Sequence, residues 1–147
     1  MKNFFKIFLF ITIIISSCSK KELIKLPITT SSTKALEYFE RAMLSYQVGD
    51  GPECNADLDS ALALDPEFAM ALEFYESQNQ RENIEFREKA KLLFPKISEG
   101  ERKIISIREG YREGNMDKAL ESAKWLVSNH ADSYESYVWL GIVQSDR

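Results

Sequence analysis

The sequence predicts an all-α protein, and three observations predict it. From residue 33 onward, apolar side chains recur at intervals of three and four, the stripe of amphipathic helices. Glycine and proline stand where these stripes stop and restart rather than inside them. The resulting helix-turn-helix plan returns at about 34 residues, the period of stacked helical hairpins. With 147 residues, 44% hydrophobic and 29% charged, the chain has one domain's length and enough apolar mass to pack a core.

Residues 1–17 have the layout of an export signal: a basic start at Lys2 and Lys6, an apolar run from Ile7 to Ile15 broken by Thr12, and then small residues. A membrane-spanning helix needs ~20 apolar residues. This run falls well short of that even when Phe4 and Phe5 are counted. At its end, Ile15-Ser16-Ser17-Cys18 resembles the lipobox of bacterial lipoproteins, in which an aliphatic and two small residues precede a cysteine. The resemblance implies cleavage before Cys18, a lipid on its sulfur and a palmitate-type acyl chain on its new amino terminus. Several acyl chains hold a protein stably where one binds only reversibly. The implied location is the bacterial cell envelope, on the outer membrane in a Gram-negative cell. The alternative is that Cys18 is an incidental small residue at an ordinary cleavage site or beside an uncleaved anchor.

Residues 18–32 read as a linker that lifts the folded part off the membrane, because they contain Pro27 and end in a Ser/Thr run without helical period. Lys20, Lys21 and Lys25 read as solvated linker charges. Residues 33–147 form the folded domain. With Cys18 lipidated, Cys54 has no partner and no disulfide framework is expected. Removing Lys2 and Lys6 leaves 17 of the 19 basic residues against 23 acidic ones, a net charge of −6. An acidic chain lacks the basic face that nucleic acid requires, so that class is set aside.

Within the domain, Ala35, Leu36, Phe39, Ala42, Met43 and Tyr46 make the first stripe. Gly49 and Gly51 suit its end, and Pro52 suits the first turn of the next helix. That second helix puts Cys54, Leu58, Ala61 and Leu62 on one face. It ends at Asp65, which is expected to cap a third helix with Pro66 in its first turn. Ala61 precedes Pro66 by five residues, as Ala90 precedes Pro95. Further on, the plan repeats with Gly114 in the place of Gly49 and Ala119 in the place of Cys54. A last helix is expected to follow a cap at Asp132, with Tyr137, Val138, Leu140 and Gly141 on its apolar face.

The spacing of Tyr38, Ala42, Gly49, Cys54, Leu58, Ala61 and Pro66 resembles the tetratricopeptide repeat, and Tyr137, Leu140 and Gly141 match the first half of that motif. Arg41 and Ser45 depart from it, and the segment from Glu67 to Pro95 is about five residues short of a full repeat. The resemblance implies a solenoid of about three hairpins plus a terminal helix. Ala42, Ala61, Ala119 and Gly141 would allow close helix approach. Trp139 and Ile142 on the terminal helix suggest either a truncated array or a partner that covers them.

Material for catalysis is poor. His130 is the single histidine and reads as an exposed residue between two helices. Neither it nor Cys54 has companions at metal-ligand spacing, and the glycines do not form a phosphate loop. No enzyme activity, cofactor, metal or small-molecule substrate is expected. The family resemblance instead implies a concave groove for a protein or peptide partner, with Phe39, Met43, Tyr46, Glu73, Ser77, Ile104, Arg108 and Tyr111 at its groove positions. For Phe39 and Tyr46 the alternative is packing between adjacent hairpins. The expected role is a membrane-anchored interaction scaffold. Self-association as an assembly factor, or an accessory domain cut from a longer enzyme or transporter, are the other readings.

Overall fold

A computed structural model of the protein describes residues 24–146. The described residues are all-α, with no strand beyond one isolated bridge. In chain order the helices are α1 (Thr33–Gln47), α2 (Gly51–Leu64), α3 (Ala69–Phe74), α4 (Gln80–Leu92), α5 (Glu99–Glu113), α6 (Met116–Asn129) and α7 (Tyr134–Ser145), with a 3-10 turn at Phe94–Lys96 before α5.

Local chemistry sets most of the boundaries. The Ser32 hydroxyl accepts the Ala35 N–H at the start of α1. Gly49 then takes the left-handed conformation, φ 78°, that ends it. Asp50 accepts the Glu53 N–H to open α2, with Pro52 in its first turn as expected. Gly114, with φ 66°, plays the part of Gly49 after α5. Asn115 then caps α6 through the Lys118 N–H. Ser98 and Glu101 form a reciprocal capping box at the head of α5.

Two expected caps are corrected. Asp65 closes a turn by accepting the Glu67 N–H, and α3 begins only at Ala69 because the other carboxylate oxygen is occupied elsewhere. At α7 the cap position belongs to Ser133 rather than Asp132, and its hydroxyl makes no capping bond. The shortage of residues in the middle of the chain falls on α3, which has six residues, all of them buried. A helix that is apolar on nearly every side has no solvent face to present.

Consecutive helices pack in pairs: α1 on α2, α3 on α4, α5 on α6, and α7 on α6. A continuous core runs through them, from Phe39, Leu58, Phe68 and Phe74 to Ile105, Ile107, Leu126 and Val143. Ala42, Ala61 and Ala119 are fully buried, as the close-approach reading requires. Gly141 is not at such a contact: it is exposed, and a Cβ there would have no neighbour within 4 Å. The tightest approach is instead at Gly110, where a Cβ would lie 2.8 Å from the Asn115 carbonyl oxygen and 2.9 Å from the Ala119 nitrogen.

The last residues of the expected linker are part of the fold. Residues 24–32 run as an extended strap across the starts of the later helices. Ile24 pairs with Ser133 in a parallel bridge. The Leu26 N–H donates to Glu135 (2.7 Å), while the Thr29 N–H and hydroxyl donate to Glu101 (2.8 and 2.6 Å). The Thr30 hydroxyl and Ser31 N–H donate to Asp65 (2.6 and 2.7 Å). Burial pushes the Asp65 carboxyl up, but these bonds outweigh it and hold the group below its ordinary range. Lys25, read as a solvated charge, pairs with Glu40 on α1 at 2.6 Å. The strap thus joins α7, α5 and the α2–α3 corner before it enters α1.

The two glycines should respond oppositely to one substitution. Gly110→Ala should destabilise the protein by ~1–3 kcal/mol, because its methyl meets fixed backbone. Gly141→Ala should stabilise it by ~0.5–1 kcal/mol through helix propensity alone. Urea unfolding of both variants checks this; equal shifts would contradict the contact at Gly110.

Candidate functional site

The polar centre of the molecule is built where α1, α3 and α5 meet. Glu73, at the end of α3, is 0% exposed and its Oε1 accepts from Arg108 Nε (3.1 Å) and Arg112 Nη1 (2.6 Å). Arg108 and Arg112 reach it together because residues four apart share one face of α5. The Arg108 side chain is 7% exposed and donates further to the Tyr46 hydroxyl (2.9 Å) and to Glu76 (3.1 Å). Its guanidinium lies 4.1 Å from the centroid of the Phe74 ring. A buried carboxylate without a cation would be prohibitively costly, so α5 is obliged to sit against α3. Glu73 Oε2 and Arg87 Nε, the latter on α4, are buried without a protein partner. Burial and then the neighbouring Arg112 lower the Arg87 pKa.

Beside this network the surface opens into a groove of about 520 Å³ lined by Tyr46, Cys54, Asn55, Phe74, Glu76 and Gln78. Its walls are set firmly. Asn55 on α2 donates to the Glu76 carbonyl (2.6 Å) and accepts the Glu76 N–H (3.3 Å), pinning the loop after α3. Tyr46 is tethered by Arg108 and stacks edge-on against Phe74, with centroids 5.3 Å apart. Cys54 lies beneath, where burial raises its thiol pKa. The groove combines the exposed Tyr46 ring and the edge of the nearly buried Phe74 with amides and a carboxylate, a lining suited to side chains and backbone of a peptide.

Of the predicted groove residues, the structure brings Tyr46, Glu73 and Arg108 into one network. Tyr111 borders it on α5, donating its hydroxyl to Asp146 (2.9 Å); burial and that acceptor push its pKa up to about 12. Met43 is half-buried against the core. Ser77 sits in the loop after α3, where its N–H donates to Asn83 (2.7 Å).

Glu73, Ile104 and Arg108 are interior residues rather than exposed groove positions, and Phe39 is buried too, in line with the packing alternative read for it. The reason is the shortness of α3. Phe39, Arg108 and Trp139 close over Phe74 from α1, α5 and α7, with the rings of Phe39 and Trp139 centred 6.0 and 6.4 Å from it. The space around Phe74 is thereby filled, and the surface opens beside Tyr46.

Sequence reasoning missed Phe74, Glu76, Asn55 and Arg112. One signal was present: Glu73 is the lone charge in the apolar run of α3, and such a charge requires a buried cation. His130 is half-buried at the end of α6, its ring 5.9 Å from that of Trp125, rather than an exposed loop residue. Among the described residues no three His, Cys, Asp or Glu side chains are grouped to hold a metal. Cys18 and the expected export signal lie outside the described residues.

No protein-family model matches the chain, and no curated protein matches it significantly.

The ion pair predicts a specific mutational pattern. Arg108→Met or Glu73→Leu alone should cost ~3–5 kcal/mol by stranding a buried charge, with Arg108→Met at the lower end because Arg112 still reaches Glu73. The double variant should recover most of that loss. Denaturant melts of the three proteins check this, and additive losses would mean the two groups are not coupled.

Proposed function

We propose that the protein is a tetratricopeptide-like solenoid of helix pairs, lipid-anchored at Cys18 in the bacterial cell envelope, that serves as a non-catalytic scaffold for a protein partner. The partner is an extended peptide segment seated in the groove between Tyr46, Phe74 and Glu76. The observation that carries this reading is the open groove itself, an aromatic and amide-lined cleft whose walls are fixed by the Arg108 and Asn55 bonds. A wall that is already ordered loses little freedom when a peptide binds, which favours affinity from a small contact. The helical architecture and the paired packing support the solenoid reading, and the lipobox at Ile15–Cys18 supports the location.

Tyr46 is 42% exposed and stands at the mouth, so its ring can serve as an anchor. Tyr46→Ala should weaken partner binding by ~2 kcal/mol or more. Its loss of stability should stay well below the ~3–5 kcal/mol expected for the buried ring in Phe39→Ala. A photo-crosslinking residue at Gln78, compared with one at the exposed Leu92 on α4, identifies the partner in intact membranes, and the same crosslink is then measured in the Tyr46→Ala background. An unchanged Gln78 crosslink in a folded Tyr46→Ala variant would place the partner on another surface.

A further inference from the structure

The outer face of α7 is bare. Tyr134, Tyr137, Val138 and Ile142 are exposed along one face, with Gly141 between them. Val138 and Gly141 stand 34 residues after Ile104 and Ile107, both of which are buried on α5. The same helical position is covered in one case and open in the other. The strap reaches the head of this helix. Ile24, itself exposed, pairs with Ser133 at the head of α7, and the Leu26 N–H is held by Glu135 in the first turn.

Ile24 stands six positions after Cys18. Fully extended, that stretch reaches at most about 20 Å. The twelve residues of α7 make a helix of about the same length, ~18 Å. An anchor at Cys18 therefore holds the head of α7 within about 20 Å of the bilayer surface and leaves the rest of its face free to lie down on it. At that tether length the effective concentration is high enough for a weakly apolar face to engage. Tyrosines at the edge of an apolar stripe suit the water–lipid boundary, where the ring is buried and the hydroxyl stays wet.

We propose that α7 is a membrane-contact helix, its Tyr134–Tyr137–Val138–Ile142 face resting in the headgroup region of the bilayer to which the chain is tethered. The proposal rests on the lipid-anchored reading of Cys18. No Lys or Arg lies between Tyr134 and Ser145, and Glu135 adds negative charge, so the contact is apolar rather than electrostatic. It needs no anionic lipid and is insensitive to salt. Docking there would set the groove at Tyr46 at a fixed height and orientation above the membrane.

The test uses the full chain, processed in its host and reconstituted in phosphatidylcholine vesicles, with an environment-sensitive fluorophore on Ile142→Cys. Cys54 is buried and does not compete for the label. Nitroxide-bearing lipids should quench most of the emission at position 142 and leave a label at the exposed Leu92→Cys unquenched, in low and high salt alike. Tyr137→Ser with Val138→Ser should restore the emission at 142 without releasing the protein from the vesicles. Intact mass and vesicle flotation report the acyl anchor separately. Unquenched label on acylated, floating protein would overturn the proposal while leaving the anchor intact. Crosslinking between copies through position 142 would overturn it in favour of a second chain. Absence of acyl mass together with loss of flotation would remove the anchor, and the proposal with it.

Discussion

A carboxylate cannot be buried alone, and the described residues bury four: Asp57, Asp65, Glu73 and Glu101. Each must be met by donors, and the donors come from other parts of the chain. Arg41 of α1 holds Asp57 of α2. Thr30 and Ser31 of the strap hold Asp65 at the α2–α3 corner. Thr29 of the strap, with Ser98, holds Glu101 of α5. Arg108 and Arg112 of α5 hold Glu73 of α3. Apolar packing brings helices together without choosing a register. These charges choose it, since any slip would strand one of them at a cost of several kcal/mol.

The arrangement has consequences for the surface. Because Arg108 spends its donors on Glu73, Glu76 and Tyr46, the wall of the groove is fixed before anything enters it. Because Asp65, Glu101 and Glu135 hold the strap, its first described residues sit at the head of α7, with Lys25 paired to Glu40 of α1.

Local features were legible in the sequence. Gly49, Gly114 and Pro52 act within a few residues of themselves, and their positions follow from backbone geometry alone. The alanines at 42, 61 and 119 were legible because periodicity marks the buried face. What could not be read is what depends on distant partners. Glu73 and Arg108 are 35 residues apart, and Thr29 and Glu101 are 72 apart. A Ser/Thr-rich stretch has the same composition whether it is a free linker or a strap that donates to buried carboxylates. Gly141 sits at a motif position where a neighbouring helix would pack, yet no described helix covers it. Gly110 carries the contact without standing in the motif. The burial of Glu73, Ile104 and Arg108 was hidden for a related reason: pattern matching assumes that α3 is a full helix, and it has six residues.

Hydrogen exchange at the strap tests the account most directly. Near neutral pH, the amides of Thr29 and Ser31, which donate to Glu101 and Asp65, should exchange far more slowly than in an unstructured peptide, although they lie outside any helix. Exchange at free-peptide rates, with α1 and α5 still protected, would show that the buried carboxylates do not hold the strap.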